Sequence, residues 1–566
     1  FWFALKTPIQ PPLEETDQQP PRSCHTTWGR IWGTSSETVM LDALREYITR
    51  ARWFGGKGHK LRKLRLIDHL TLPIPDTTNV YLLRLEVTYT NAPKEEYLLP
   101  LAFATAESPD MLLHLKNTPE SVICPLETKD QEGLLYDAVQ HEGFRATLLD
   151  MIAKQRSCKL GQGHLAARRG RRFSEALEGH SLPMSSRVLK AEQSNTSVIY
   201  DDTYFLKLYR RIEEGPNPDV VLTQHLTEDT KFSHLPAFAG SLEWKRKGST
   251  PMTIGLLLRF VPNETDAWSF TLDTLRQSYG WALTLKDKLE ALPEIPRVSL
   301  QIDLDTMPDV VREFIGPVYL DMIRLLGQRT AELHRALASL CRTRDITPEP
   351  FSQLYQKSLY QSIRGLILKT FATMESHLKV LPEPHRAAIQ EMLGSRTSVF
   401  NRLSRITEKR IDTLKIRTHG DYHLGQVLFT GKDFVVIDFE GEPARPMTER
   451  HLKQSALRDV AGMIRSFHYA AHGSLLLGNA PEIEDTFLRH WADLWYAYVS
   501  GTFLTSYIST AGSDKFIPQN KKDFAMLLET FILEKAVYEL GYELNHRPDW
   551  FTIPMRGLED ILKGRF

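Results

Sequence analysis

The stretch that decides the fold is Arg417-Thr-His-Gly-Asp-Tyr-His-Leu-Gly-Gln426, followed by Phe434-Val-Val-Ile-Asp-Phe-Glu440. Asp421 precedes Gln426 by five residues, and Asp438 follows Gln426 by twelve residues at the end of an apolar run. The two apolar runs on either side of a glycine-containing turn predict a hairpin, which brings Gln426 and Asp438 to the same end. The sequence therefore predicts three oxygen-bearing side chains that converge on one point.

Phosphoryl transfer needs such a set of oxygens, because its catalysis consists mostly of positioning and charge neutralisation. Protein kinases use the same spacing for an Asp that accepts the substrate proton, an amide that binds a metal and a second metal-binding Asp. Asp421 is thus the candidate general base, and Gln426 and Asp438 are the candidate Mg²⁺ ligands. The alternative is a surface hairpin with incidental carboxylates.

The two histidines of the loop allow a further interpretation, which is a transition-metal site. His419 and His423 are four residues apart, and this spacing suits zinc when both lie on a helix. Gly420 and Gly425 favour a loop instead. We therefore expect His419 to form a structural hydrogen bond.

The bulk composition is that of an ordinary globular protein. The 566 residues are 42% hydrophobic and 25% charged, and at about 150 residues per domain this length predicts three or four structural units. The net charge is zero, so no overall electrostatic attraction to nucleic acid or to a membrane surface is expected.

Cysteine usage and the absence of long apolar runs favour a cytoplasmic location. The four cysteines have no C-x-x-C spacing, which indicates neither a zinc site nor a disulfide framework and fits a reducing compartment. No apolar stretch approaches the roughly 18 residues that a membrane span needs. The start, Phe1-Trp-Phe-Ala-Leu-Lys6, lacks both Met and a basic signal-peptide region. We expect the chain to be the C-terminal part of a longer polypeptide.

Patterning along the chain predicts five segments. The Pro-rich, polar composition near the start is typical of a linker, strand signals dominate up to about residue 262, and helical periodicity dominates thereafter. The expected segments are a terminal strand of an upstream domain (1–8), a Pro-rich linker (9–35), an α+β cap (36–130), an N-lobe or intermediate subdomain with the nucleotide loop and hinge (131–262), and a helical C-lobe with the catalytic loop (263–566).

Two features of the fourth segment suit nucleotide phosphates. Glu192-Gln-Ser-Asn-Thr-Ser197 is expected to be a loop between strands, and its backbone N–H groups are candidates for binding phosphate. The loop residues assigned to this role are Gln193, Ser194, Asn195, Thr196 and Ser197. Ten residues later, Lys207 alternates with apolar residues on a predicted strand, as does the strand lysine that pairs with nucleotide phosphates.

A helix near the end, Leu533 to Leu544, has two different stripes. Leu533, Val537, Leu540 and Leu544 share one side, whereas Lys535, Tyr538 and Tyr542 share the other. An aromatic and cationic face suits a sugar, because aromatic rings stack on sugar faces and the amine binds hydroxyls. A helix packed on both faces is the other interpretation, and periodicity alone favours it.

These motifs together resemble the bacterial maltokinases, which are members of the aminoglycoside-phosphotransferase-like kinases. The resemblance extends from about residue 36 to 566. Further matching motifs are Arg52-Trp-Phe-Gly-Gly-Lys57, Asp438-Phe-Glu-Gly-Glu-Pro443, Leu457-Arg-Asp-Val-Ala-Gly-Met463 and Glu534-Lys-Ala-Val-Tyr-Glu-Leu-Gly-Tyr-Glu543.

The resemblance implies an α+β, bilobal fold like that of eukaryotic protein kinases and aminoglycoside phosphotransferases, with an N-terminal α+β cap and a mainly helical C-lobe. It implies ATP- and Mg²⁺-dependent phosphorylation of maltose at its anomeric hydroxyl, giving maltose 1-phosphate for α-glucan (glycogen) synthesis. It also implies that the chain is fused behind a trehalose synthase. Phe1–Leu5 would then be the closing strand of that enzyme.

The same resemblance implies roles for individual residues. Asp421 would be the base, Gln426 and Asp438 would bind magnesium, and Lys207 with the 193–197 loop would bind phosphates. The face of Lys535, Tyr538 and Tyr542 would bind maltose, which reverses the preference from periodicity. The hinge residues Arg259, Phe260 and Val261 are assigned to the nucleotide, and Glu440 and His419 to the sugar.

Two positions depart from the family pattern. Val221 occupies the position of a Glu that usually pairs with the strand lysine, so Glu213, Glu214 or Glu228 would have to replace it, or Lys207 would have no partner. Arg259 stands where relatives often have Gln.

Two other functions stay open: a kinase of another acceptor, such as an aminoglycoside, choline or another sugar, and a catalytically silent nucleotide-binding module.

Overall fold

The computed structural model describes residues 20–74, 79–160, 163–177, 179–189, 194–288, 291–296, 303–379, 381–443, 445–477 and 486–565. The expected strand over 1–8, most of the Pro-rich stretch and Gln193 lie outside these residues. The chain divides into two compact units. The first comprises the residues up to Gln224 together with Pro236–Val261, and the second comprises His225–Leu235 together with Pro262–Phe566.

The first unit consists mainly of strands. They are β1 (Arg22–Ser23), β2 (Leu61–Leu72), β3 (Val80–Tyr89), β4 (Glu95–Thr105), β5 (Val122–Glu127), β6 (Glu132–Asp137), β7 (Ser157–Leu160), β8 (Gly163–Arg169), β9 (Ser186–Val188), β10 (Asn195–Tyr200), β11 (Tyr204–Tyr209), β12 (Arg211–Ile212), β13 (Phe238–Arg246) and β14 (Met252–Arg259). The helices are α1 (Ser36–Arg50), α2 (Pro109–Lys116), α3 (Glu142–Ala153) and α4 (Phe173–Ala176), and α5 (Pro218–Asp229) begins in this unit.

These strands form two sheets. One has the order β1-β5-β6-β4-β3-β2, with β12 added against β4, and the other has the order β7-β8-β13-β14-β11-β10-β9. Strand β3 is buried along almost its whole length, which explains its nearly continuous apolar sequence. Helix α1 contributes Met40, Leu44 and Ile48 to the core of the first sheet.

The end of the expected linker differs from the prediction. Strand β1 pairs in parallel with β5, and Trp28 and Ile31 are buried in the core that α1 covers. The Trp28 ring N–H donates to the carbonyl of Asn79 at 3.0 Å. Part of the range 20–35 is therefore folded structure. Burial of the two large apolar side chains stabilises it, although the Pro-rich composition is typical of a linker.

A buried ion pair connects the two sheets of the first unit. Arg210, between β11 and β12, donates to Asp137 at the end of β6 at 2.7 Å and to the Thr196 hydroxyl of β10 at 2.7 Å. Its guanidinium lies 4.9 Å from the centre of the Trp53 ring, and the Tyr47 hydroxyl donates to Asp137 at 3.3 Å. The Arg52–Lys57 motif thus supplies an aromatic wall for a buried cation.

The second unit is mainly helical, as the periodicity predicts. Its strands are β15 (Thr265–Asp266), β16 (Glu349–Pro350), β17 (Leu414–Lys415), β18 (Val427–Phe429) and β19 (Phe434–Val436). Its helices are α6 (Ala267–Leu283), α7 (Asp309–Ile315), α8 (Pro317–Ser339), α9 (Gln353–His377), α10 (Glu383–Gly394), α11 (Arg396–Ser404), α12 (Met447–Arg450), α13 (Leu457–Leu477), α14 (Thr486–Ala511), α15 (Lys521–His546) and α16 (Thr552–Leu562).

A small sheet in this unit presents the predicted hairpin. Strands β18 and β19 pair antiparallel, Val427 opposite Val436, and β15 adds to the other edge of β18. Arg329 of α8 donates two hydrogen bonds to Asp433 in the turn, at 2.9 and 2.8 Å. None of the helices in the described ranges combines the length and the apolar composition that a membrane crossing requires.

Candidate active site

The backbone of the loop before the hairpin is anchored on one carboxylate. Asp459, in the first turn of α13, accepts hydrogen bonds from the amides of His419 at 2.8 Å and Gly420 at 3.0 Å. The ring of His334 lies 3.2 Å from the same carboxylate. Burial alone would raise the pKa of Asp459, but the interactions with His334 outweigh it and lower the pKa. Sequence reasoning assigned Asp459 no role, because the backbone amides that donate to it lie about forty residues away along the chain.

The conformation of the loop requires glycine at one position. Gly420 has a φ of +87°, and a Cβ there would lie 3.2 Å from the Cα of Gly441. Both the left-handed backbone and the close approach disfavour any side chain. Gly420 therefore places Asp421 immediately after a fixed bend.

His419 uses both ring nitrogens for structure. Its Nε2 donates to the carbonyl of Ile437 at 2.8 Å, and its Nδ1 accepts from the amide of Asp421 at 3.3 Å. The side chain is buried, at 1% exposure. The expected structural hydrogen bond is present, and backbone groups engage both ring nitrogens. The assignment of His419 to the sugar stays a prediction.

The hairpin brings the two candidate metal ligands together. The Gln426 side-chain amide donates to the Asp438 carboxylate at 3.1 Å, and the Ile437 amide donates to the Gln426 carbonyl at 3.0 Å. Asp438 has a φ of +66°, a left-handed conformation that few residues other than glycine adopt. This bend turns the Asp438 side chain to the same end as Gln426. The pair contains a carboxylate and an amide oxygen on adjacent side chains, and such a donor set fits Mg²⁺ once the amide turns its oxygen to the ion.

Asp421 is poorly solvated and lacks a full complement of partners. Its Oδ1 is buried and accepts no hydrogen bond within the described part of the chain, and the Lys535 Nζ is 3.5 Å from it. Burial raises the pKa of Asp421; the charge of Lys535 lowers it, and the charges of Glu442 and Asp438 raise it further. A carboxylate in this state has an oxygen available for a hydroxyl proton.

Helix α15 has the two stripes that its sequence predicts. Leu533, Val537, Leu540 and Leu544 are at most 1% exposed, whereas Lys535, Tyr538 and Tyr542 are half-buried. The Lys535 ammonium lies 5.4 Å from the centre of the Tyr538 ring, and Tyr542 stacks on His546 at 4.3 Å. The partly accessible face thus carries aromatic rings beside a cation that also faces Asp421.

Glu442 is a member of this cluster that sequence reasoning missed. Burial would raise its pKa, but Lys535 and Arg445 outweigh that effect and lower the pKa of Glu442 to about 2. Arg445 donates to one of its oxygens at 2.8 Å, and the other oxygen is buried without a hydrogen bond among the described residues. Burial and the charge of Glu442 raise the pKa of Tyr538. Glu440, the glutamate that sequence reasoning chose, is half-buried at the end of the hairpin.

In the first unit, the strand lysine has a carboxylate partner that was not expected. The Lys207 Nζ donates to Asp219 at 3.2 Å, and the Tyr209 hydroxyl donates to the same oxygen at 3.2 Å. Asp219 lies in the first turn of α5, and its amide donates to the Asn217 side chain at 2.8 Å. The carboxylate expected from Glu213, Glu214 or Glu228 is therefore supplied by Asp219, two residues before Val221.

The expected phosphate loop is shorter than predicted. Asn195, Thr196 and Ser197 belong to strand β10 and pair with β11, Ser197 opposite Lys207. Thr196 accepts from Arg210, and the Ser197 hydroxyl is fully buried. Of the assigned residues that the structure describes, only Ser194 lies outside a strand. The strand begins as early as Asn195 because the β-branched and apolar residues of this segment favour extended backbone.

The hinge residues use part of their backbone within the first unit. The amide of Arg259 donates to the Ala237 carbonyl at 2.8 Å, and the amide of Phe260 donates to the Thr203 carbonyl at 2.8 Å. The Arg259 side chain is exposed. Contacts with a nucleotide base through these two amide groups are thus excluded in this conformation, whereas their carbonyls and Val261 are compatible with such contacts.

The fold is protein-kinase-like. The chain aligns with the structure of glucosamine kinase in complex with glucosamine, ADP and inorganic phosphate, with a TM-score of 0.56 and 17% identity. The alignment covers 91% of this chain and 98% of that chain. The expected fold class is confirmed.

Sequence comparison adds a match to a single domain. Residues 47–140 match the maltokinase N-terminal cap domain, so the chain contains this cap, in agreement with the resemblance to maltokinases. The chain is 22% identical over 396 residues to a glucosamine kinase of Streptacidiphilus jiangxiensis, covering 69% of this chain and 76% of that protein. It is 24% identical over 378 residues to a glucosamine kinase of Mycolicibacterium smegmatis, covering 66% and 79%.

Proposed function

We propose that this protein transfers the γ-phosphoryl group of ATP to the anomeric hydroxyl of maltose, producing maltose 1-phosphate for α-glucan synthesis. The observation that carries this proposal is the cluster of Asp421, Lys535 and Tyr538, with Asp421 Oδ1 3.5 Å from the Lys535 ammonium. The cluster combines a candidate base with a face suited to a neutral sugar. The maltokinase cap at residues 47–140 supports maltose as the acceptor.

In this mechanism Asp421 orients the sugar hydroxyl. The hydroxyl donates to Asp421 Oδ1, which accepts no hydrogen bond within the described residues, and Asp421 takes the proton late in the transfer. Asp459 and Gly420 keep the loop in one conformation, so the orientation costs little entropy at the reaction step. The raised pKa of Asp421 makes it a better proton acceptor than an exposed aspartate.

Gln426 and Asp438 would bind Mg²⁺ in the complex with ATP. A bound Mg²⁺ ion supplies charge neutralisation on the nucleotide phosphates. The two residues lie close together, because the hairpin register and the left-handed backbone of Asp438 bring the Gln426 Nε2 to 3.1 Å from the Asp438 carboxylate. The Gln426 amide would turn its oxygen to the ion. Lys207, oriented by Asp219, would bind the nucleotide phosphates in the same way as the strand lysine of other kinases.

The α15 face would bind the sugar. Tyr538 and Tyr542 offer ring surfaces to its apolar faces, and Lys535 and Glu442 offer a donor and an acceptor to its hydroxyls. Glucosamine is the second candidate acceptor, because Glu442 stays ionised and curated relatives are glucosamine kinases. The Lys535 ammonium beside Asp421 disfavours a cationic acceptor, and this decides our preference for a neutral sugar.

The test is ADP release by the purified chain with Mg²⁺-ATP and one acceptor at a time. The panel is maltose, glucose, trehalose, glucosamine and kanamycin. We expect the highest kcat/KM with maltose. A higher kcat/KM with glucosamine or kanamycin would replace the acceptor assignment, and binding of ATP without phosphorylation of any member would support a silent nucleotide-binding module.

A further inference from the structure

A separate cavity of about 240 Å³ lies in the second unit. Its polar wall comes from three helices: α13 contributes Arg465 and His468, α14 contributes Asp493 and Tyr496, and α16 contributes Asp560. None of the residues assigned above to the base, the metal, the nucleotide or the sugar lines it. The proposed function therefore leaves this cavity unexplained.

His468 is the residue that points to a ligand. Its side chain is 1% exposed, it lines the cavity, and neither ring nitrogen makes a hydrogen bond within the described part of the chain. A buried polar group without a partner costs about 1–3 kcal/mol, and nearly all such groups in native proteins have one. Burial, and then the charge of Arg465, lower the pKa of His468 well below its usual value. The neutral ring offers one donor and one acceptor.

The charges around the cavity are balanced. Arg465 pairs with Glu539 of α15 at 2.8 Å, and Arg556 of α16 hydrogen-bonds Asp493. Arg565 lies 3.5 Å from Asp560. Because each of these cations has a carboxylate partner, the wall favours a neutral ligand over an anion. The mixture of guanidinium, imidazole, carboxylate and phenol groups provides both donors and acceptors.

The size and the aromatic wall narrow the ligand class. The Tyr496 ring packs edge-on against His468, with centroids 4.8 Å apart, and Ile295, Ala497 and Ile532 add apolar surface. The volume exceeds the ~15 Å³ that one water needs and lies below the roughly 300 Å³ at which sites for drug-sized ligands begin. A single polar ring with several hydroxyl groups meets these conditions.

We propose that this cavity is a second, non-catalytic binding site for a neutral polyhydroxylated ligand of one hexose ring. The ligand hydroxyls donate to Asp493 and Asp560 and to one His468 nitrogen. The other His468 nitrogen and the Arg465 guanidinium donate to ligand oxygens. This inference rests on the cavity alone and does not depend on which acceptor is phosphorylated.

The probe is methyl α-D-glucopyranoside, whose anomeric oxygen is blocked, measured by isothermal titration calorimetry without nucleotide. The protein is the full chain with Tyr538→Ala and Tyr542→Ala, so that the proposed acceptor face contributes little. We expect saturable binding to one site per chain. Adding His468→Leu or Ala497→Leu should weaken this binding at least tenfold, through loss of polar contacts or through filling of the cavity.

Two controls separate binding from folding. His468→Leu replaces unpartnered buried atoms by apolar ones, so its thermal unfolding midpoint should not fall. Thr505→Leu places a leucine at an exposed position of α14 and should leave binding unchanged. The proposal is overturned if the glucoside does not bind the folded protein, which would mean a water-filled cavity, or if both cavity variants bind it as before. The result of this binding experiment does not depend on whether the chain phosphorylates maltose.

Discussion

Asp421 lies among groups that shift its pKa in opposite directions. Burial raises the pKa above the usual 3.8, and Lys535 is the largest influence that lowers it. A base must be ionised to accept a proton, so kcat/KM should fall as the pH decreases through a value above 3.8. Lys535 therefore controls the acid limb of the pH profile.

The first prediction concerns that limb. Lys535→Met removes the cation beside Asp421, so the pKa of Asp421 rises and the acid limb of kcat/KM moves to higher pH. The overall rate also falls, but the position of the limb is independent of that loss. The exposed Lys563→Met on α16 is the control and should leave the limb in place. A limb that stays in place or moves to lower pH in Lys535→Met would refute Asp421 as the titrating base.

Asp219 gives a second prediction at the scale of single residues. Lys207 is only 8% exposed, and Asp219→Asn would leave it buried without its carboxylate. Because removing one partner of a buried pair costs about 3–5 kcal/mol, we expect Lys207 to reorient and the KM for ATP to rise at least tenfold. Glu214→Gln, at an exposed position, should change the KM little. Equal effects of the two substitutions would show that Asp219 does not position Lys207.

Helix α15 allows packing and binding to be separated within one element. Leu540 is fully buried, so Leu540→Ala should lower the free energy of unfolding by about 2–5 kcal/mol. Tyr542→Ala, on the half-buried face, should raise the KM for maltose with a smaller loss of stability. Urea denaturation and initial-rate kinetics on both variants provide the readouts. A KM for maltose unchanged in Tyr542→Ala would restore the interpretation of a helix that only packs.

Local patterns predicted the elements of this site well. The β18–β19 hairpin follows from two apolar runs around a turn, and the α15 stripes follow from helical periodicity, since both patterns depend on nearby residues. Asp219 could have been found, because Asn217-Pro218-Asp219 is typical of a helix start and puts Asp219 in the first turn, shortly after the strand lysine. Glu442 and Asp459 could not, because their roles depend on contacts with Lys535 and with the His419 amide, far along the chain.

Strand boundaries were harder to predict. The segment 195–197 was expected to be loop because of its small polar residues, but pairing with β11 extends the strand through it. The stretch with Trp28 and Ile31 was expected to be linker because prolines precede it. In both places tertiary contacts outweigh local composition.

On the scale of the molecule, the cap and the strands that carry Lys207 belong to one compact unit. Arg210 and Asp137 connect the two sheets of that unit through a buried ion pair, with both side chains at most 5% exposed. Such a pair is costly to break, because the remaining charge stays buried. The cap is thus part of the structure that supports Lys207.

This arrangement predicts a large effect from a substitution remote from the proposed chemistry. Asp137→Asn should lower the free energy of unfolding of the first unit by about 3–5 kcal/mol, because the Arg210 guanidinium stays buried after it loses the charge of Asp137. Arg211→Gln removes the more accessible pair with Glu95, in which the Arg211 side chain is 43% exposed, and should cost about 1 kcal/mol or less. Urea denaturation followed by tryptophan fluorescence measures both. Equal losses would contradict a structural role for the buried pair.

The central claim is that Asp421 acts as the general base when the anomeric hydroxyl of maltose accepts the γ-phosphoryl group of ATP and ADP leaves. Phosphorus NMR of reactions with Mg²⁺-ATP and maltose, using the wild-type chain and Asp421→Asn, tests it most directly. We predict a sugar 1-phosphate resonance that grows with the wild-type chain, and a rate lower by about 10²- to 10⁴-fold in the variant, with ATP affinity retained. A near-normal rate in Asp421→Asn, or no phosphorylated maltose from the wild-type chain, would contradict it.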